Sequence, residues 1–207
     1  MQKNNKDYYI IAGKLLIICS IVAFIVATVN FITKDKIAYN EMKNTAIALT
    51  DIFSENFGGN SFSVKDDGFE VREDNKVIAV CKKADCVMNE DVTSVYVIED
   101  IENAPLYYCV ALSPMGFKAE INMLVAVNSD LTVKGVKIVS MSETSGIGTK
   151  ADDKTFLSKF KGKTETQALE VDTISGATKT TEPIIEAVAN ACNQVGSYKA
   201  SLSGGAN

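Results

Sequence analysis

From Leu15 to Thr33 the chain reads LLIICSIVAFIVATVNFIT, a run without a single charged side chain. A helix that is apolar on every face has no polar side to offer to water, so this run limits the fold more than any other feature. At ~1.5 Å per residue it spans about 28 Å, close to the hydrocarbon core of a bilayer. Tyr8 and Tyr9 precede it where interfacial aromatics are common, and Lys14 can snorkel from its first turn. A cleavable signal peptide would have a shorter apolar core and a small-x-small cleavage site, and the run fits neither requirement. The expectation is a short tail (1–6) and a retained transmembrane helix (7–33). Its orientation stays open, because Lys3, Lys6 and Lys14 on one side balance Lys34, Lys36 and Lys43 on the other.

Beyond the membrane the periodicity changes. Ile37, Met42, Ala46, Ile47, Leu49, Ile52 and Phe53 form a helical stripe in a stalk (34–60) that ends at Gly58-Gly59-Asn60. Strand patterns follow at Lys76 to Val80, Ser94 to Ile98, Leu106 to Leu112, Ile121 to Val127 and Val133 to Val139. Asp67-Gly68 and Asn128-Ser129-Asp130 read as turns. A short helix is expected over Asp153 to Phe160 and a long one from about Thr180 to Ser197, before a flexible tail (201–207). The fold class is α+β: a single transmembrane helix, then one domain (61–200) with a mainly antiparallel sheet and flanking helices.

Composition removes several kinds of function. A net charge of −5 and a single arginine, Arg72, do not suit nucleic acid. There is no histidine, which excludes Ser-His-Asp and Cys-His nucleophile systems and histidine metal ligation. The five cysteines, Cys19, Cys81, Cys86, Cys109 and Cys192, match no zinc or iron–sulfur spacing. Cys81 and Cys86 flank a turn-like Lys-Lys-Ala-Asp and are either a disulfide across it or two free thiols. Cys19 reads as an inert small hydrophobe of the apolar run, and Cys109 and Cys192 as core positions on a strand and a helix. Redox chemistry would therefore fall to cysteines or to a borrowed cofactor.

One stretch points to such a cofactor. Asp172-Thr-Ile-Ser175-Gly176-Ala177-Thr178 runs directly into the long helical pattern. Helix N-termini expose unpaired N–H groups and a partial positive charge, which favour phosphate. Gly176 lets a backbone approach closely, Ala177 keeps bulk away, and Ser175 can cap the helix or bond to a phosphate. The plain alternative is an ordinary helix start.

This D-x-x-S-G-A-T pattern resembles the flavinylation motif of the FMN-binding domain family. A second segment agrees: the strand Val133 to Val139 is followed by Glu143-Thr144-Ser145-Gly146-Ile147-Gly148, similar to the family's E-T-P-G-L-G turn. Ser145 replaces proline, Ile147 replaces leucine, and Ser142 stands where histidine is frequent. In Met115-Gly116-Phe117-Lys118-Ala119 only Gly116 and the aromatic Phe117 persist from the family's G-Y-G-G. The resemblance covers roughly Ala104 to Val195.

The resemblance implies FMN joined to Thr178 through a phosphoester, with Ser175, Gly176 and Ala177 at the attachment site. Glu143, Thr144, Gly146, Ile147 and Gly148 would line the flavin, and Asp172 would be read by a flavin transferase. No catalytic residue and no metal site are expected. Within the family the chain is most similar to the flavin subunits of Rnf-type complexes and of the related sodium-pumping NADH:quinone reductases. It thus implies a redox subunit of a ferredoxin:NAD⁺ oxidoreductase coupled to Na⁺ or H⁺ movement, partnered by other membrane and cytoplasmic subunits. The N-terminus would face the cytoplasm and the flavin domain the outside. The flavin subunit of a sodium-pumping NADH:quinone reductase, a stand-alone membrane-anchored flavin carrier and a non-redox extracytoplasmic binding module are the alternatives. The latter has only a short cytoplasmic segment with which to signal.

Overall fold

The computed structural model describes residues 5–65 and 68–204. Lys3, the Asp67 half of the expected turn and the last tail residues, 205–207, lie outside them. Two compact units result, Met1–Met42 and Lys43–Asn207. The first is the N-terminal part of helix α1 (Asn5–Phe53), which among the described residues is the helix long and apolar enough to cross a membrane. The helical pattern expected to continue past residue 34 is helical as far as Phe53, and neither glycine nor proline interrupts residues 34–53. It stops at Phe53, short of the expected Gly58-Gly59, and both of those glycines occupy the left-handed region in the turns that follow.

The second unit is built on seven strands: β1 (Phe62–Lys65), β2 (Gly68–Glu73), β3 (Lys76–Lys83), β4 (Val92–Asp100), β5 (Pro105–Leu112), β6 (Ile121–Asn128) and β7 (Val133–Met141). They form one antiparallel sheet in sequence order, each strand beside the next. Strict register, such as Val125 opposite both Val110 and Val136, sends alternate side chains to opposite faces. Irregularities at Val92/Ser94, Ile98/Glu99, Asn122/Met123 and Ala126/Val127 are the sites where bulges bend such a sheet.

Both faces are buried. On one, Val95, Val97, Val110, Met123 and Val125 pack with helices α2 (Lys154–Ser158), α3 (Glu165–Leu169) and α4 (Thr178–Gly204). On the other lie Cys81, Ile98, Cys109, Leu124 and Ala126, all at most 1% exposed. The last turns of α1 bury Ala46, Leu49 and Phe53 at helical spacing. Phe53 meets Tyr107 of β5 at 4.9 Å between ring centres, and Asp51 pairs with Lys137 of β7 at 2.8 Å. Phe53→Ala is therefore expected to cost about 3–5 kcal/mol, read as an earlier unfolding transition of the detergent-solubilised chain.

All the described cysteines are free thiols. Cys81 is buried in β3 while Cys86 lies half-buried in the following loop beside Gln194, which decides between a disulfide and two thiols in favour of the thiols. Cys109 and Cys192 are core residues as expected; Cys19 is exposed on the membrane-type segment of α1.

Helix α4 starts two residues earlier and ends later than the periodicity suggests. Ser201 and Ser203 hydroxyls donate back to the carbonyls of Tyr198 and Lys199, carrying the helix through residues expected to fray.

Candidate functional site

Helix α4 is placed by its own sequence. Ile184, Ile185, Val188, Ala191, Cys192 and Val195 recur at spacings of three and four and are buried against the sheet. Its start is set by a tight turn, in which the Ala177 N–H donates to the Ile174 carbonyl at 2.8 Å. Gly176 has φ +80° there, a conformation that side-chain-bearing residues rarely adopt. The Ala177 carbonyl then accepts from both Thr180 and Thr181, so Ala177 begins the helix and Ser175 does not cap it. The buried Thr181 hydroxyl fastens the turn from within, donating to the Ala177 carbonyl and accepting from the Ile174 N–H.

This geometry leaves the signature's polar groups turned outward. Ser175, Gly176, Thr178 and Lys179 are exposed, as is Asp172 in the irregular segment before them. Among the described residues the Thr178 and Ser175 hydroxyls have no hydrogen-bond partner, and no backbone carbonyl accepts from the Thr178 or Lys179 N–H. A solvent-facing threonine hydroxyl in the first turn of a long helix fits a phosphate attached through that oxygen.

Glu143 joins this helix start to two distant turns. One carboxylate oxygen accepts from the Thr180 hydroxyl at 3.0 Å and the other from the Lys118 backbone N–H at 3.0 Å. One backbone N–H and one hydroxyl, from segments far apart in the chain, thus hold the two oxygens of a single carboxylate. Glu143 is only 8% exposed.

Two glycines make the room. A Cβ on Gly116 would lie 2.5 Å from one Glu143 oxygen, and a Cβ on Gly148 would lie 2.8 Å from the other. The 143–148 loop closes locally, with the Ile147 and Thr149 N–H groups donating to the Thr144 carbonyl and the Gly146 N–H to the Thr149 hydroxyl. Gly146, at φ +75°, takes the turn that a β-carbon would strain. Gly148 opens the 3-10 turn Gly148–Asp152, and Asp153 caps α2 through the Thr155 N–H at 2.6 Å.

Burial pushes the Glu143 pKa up, but its hydrogen bonds from Lys118, Thr180, Ala119 and Phe117 outweigh that and hold it below 4.5. A folded-state pKa below the unfolded one stabilises the fold above about 4.5, and that contribution is lost as pH falls through the folded value. Glu143→Gln should therefore flatten the fall of melting temperature on acidification. An unchanged slope would mean the carboxylate is not held in its charged form.

The structure thus brings together Glu143, Gly148, Gly116 and the α4 start carrying Thr178. It leaves Ile147 at 51% exposure, while Thr144 and Gly146 are exposed on the same loop. Sequence reasoning missed Thr180 and Thr181, which hold the helix start, and gave Gly116 no role. A hydroxyl pair just inside a helix start, and a glycine in a turn beside a buried acid, were the signals available.

Residues 116–193 match the FMN-binding domain family. The chain is 25% identical over 194 residues to the G subunit of an ion-translocating oxidoreductase complex from Aliivibrio fischeri (strain ATCC 700601 / ES114), covering 86% of this chain and 85% of that protein. It is 24% identical over 205 residues to the G subunit of a proton-translocating ferredoxin:NAD(+) oxidoreductase complex from Clostridium ljungdahlii, covering 95% and 96%. A Vibrio vulnificus protein, again the G subunit of an ion-translocating oxidoreductase complex, is 23% identical over 190 residues, covering 84% and 83%.

Proposed function

We propose that this chain, whose segment 116–193 resembles the FMN-binding domain, is the flavin-bearing electron-relay subunit of a membrane-bound Rnf-type complex. FMN would be held as a phosphoester on Thr178. The observation that carries this reading is the exposed, unpartnered Thr178 hydroxyl in the first turn of α4. The complex would pass electrons between ferredoxin and NAD⁺ and couple this to movement of Na⁺ or H⁺, with this chain binding neither ferredoxin nor NAD⁺ itself.

Bound FMN supplies electron exchange, singly or in pairs. The protein's share is positional. The Thr178 oxygen would tether the phosphate, and the free N–H groups at the helix start would be available to bind it. Gly176 and Ala177 keep bulk away from it, and Ser175 offers a hydroxyl. Thr144, Gly146, Ile147 and Gly148 would line the ring. Glu143 has both oxygens engaged by Lys118 and Thr180, so it orders these turns and places no free carboxylate beside the ring. Asp172, exposed ahead of the turn, serves recognition by a flavin transferase.

The anchor corresponds to residues 7–33, with the stalk (34–60), the flavin domain (61–200) and the tail (201–207) on the extracytoplasmic face. A tether through the phosphate suits a domain outside the cell, where free FMN would dilute away. Intact mass of the membrane-extracted protein, followed by peptide mapping, tests the reading. The expected result is a gain of FMN less one water on the Thr178 peptide. A bare Thr178 in protein co-expressed with a flavin transferase would overturn it.

A further inference from the structure

We infer that Phe117 is the side chain against which the isoalloxazine ring lies, with Met115 and Ile147 completing an apolar shelf; this rests on the proposed Thr178-linked FMN. Phe117 is 67% exposed, Met115 61% and Ile147 51%. Scattered exposed apolar residues need no explanation, but these three come from two turns that a single buried carboxylate joins. That carboxylate also holds Thr180, two residues after Thr178. The shelf and the tether point therefore share one anchor, and the ribityl chain would have to span from one to the other.

The turn bearing Phe117 is fixed before any ligand arrives. Gly116 N–H donates to the Ala119 carbonyl at 2.9 Å, Ile121 N–H to the Pro114 carbonyl at 2.9 Å, and Met115 bridges Glu120. With the Lys118 N–H donating to Glu143 and the Gly116 N–H to the Ala119 carbonyl, the backbone on either side of Phe117 is held while its side chain is exposed. A rigid, exposed aromatic gives a flat ring a contact surface at little entropic cost. Other exposed large hydrophobics of this unit, such as Val87 and Ile101, lie outside these turns.

The test uses the full-length flavinylated protein, with covalent FMN first quantified on Thr178 by mass. An indole in van der Waals contact quenches flavin fluorescence by electron transfer, and the effect dies away within a few atomic diameters. Phe117→Trp should thus lose flavin emission severalfold per bound flavin, while Phe117→Ala should raise the ring's quenching by iodide. Val87→Trp is the control. The Val87 carbonyl accepts from Gln194, about 24 Å along α4 from Thr178, so emission of this variant should stay at the wild-type level. Equal emission from Phe117→Trp and Val87→Trp, with Thr178 fully loaded, would overturn the shelf and leave the tether standing. Absence of FMN on wild-type Thr178 would overturn both.

Discussion

Thr178→Ala is expected to abolish covalent flavin completely while leaving the melting temperature within a degree or two of wild type. The hydroxyl is exposed and makes no hydrogen bond among the described residues, so its removal breaks no contact of the fold. Surface substitutions of this kind change stability by about 0.5 kcal/mol or less. The helix start does not depend on residue 178 either, because Ala177, Thr180 and Thr181 define it. Thr178→Val, which keeps the shape and loses the oxygen, should behave in the same way. The measurement is in-gel flavin fluorescence after denaturation, alongside thermal unfolding of the detergent-solubilised chain. Retained fluorescence in either variant would show that FMN is attached elsewhere.

Glu143→Ala should have the opposite profile, damaging the fold first and the flavin as a consequence. Truncation leaves the buried Thr180 hydroxyl and the Lys118 N–H without their acceptor. Unsatisfied buried groups of this kind make the expected cost about 3 kcal/mol, a large share of a domain's stability. Glu143→Gln keeps one oxygen for the 117–119 turn and can donate its amide to Thr180, so about 1 kcal/mol is expected there. Thermal unfolding of the two variants against wild type checks this order. Equal melting temperatures for Glu143→Ala and wild type would mean that the carboxylate is not what joins these turns. Gly148→Ala offers an independent check, since its new carbon would press on Glu143 and destabilise without removing any hydrogen bond.

The contrast between these variants follows the division between what the chain states locally and what it does not. Strands β3 to β7 were legible because each is a short run rich in β-branched and other apolar residues, several of them bounded by turn signals, and α4 because its apolar residues recur every three or four positions. β1 and β2 were missed, although Asp74-Asn75, both with positive φ, is a two-residue hairpin turn between β2 and β3. α3 was missed too, yet the Gln167 side chain accepts from the Thr164 N–H at 3.1 Å, one half of a capping box written in the sequence as T-x-x-Q. Those signals were local and readable.

The Glu143 constellation was not local. Its partners lie 25 and 37 residues away along the chain, and nothing in the Met115–Ala119 segment marks its N–H groups as acceptor-seeking. Sequence by itself determined the apolar N-terminal helix, the apolar strand runs of the sheet and the glycine-bearing turn that opens α4, because each follows from residues within reach of one another along the backbone. Tertiary structure alone decided that one buried carboxylate joins three segments and ties the turn bearing an exposed aromatic to the helix start that carries Thr178. Register and the curl of the sheet bring those segments together, and neither is encoded in any single stretch of the chain.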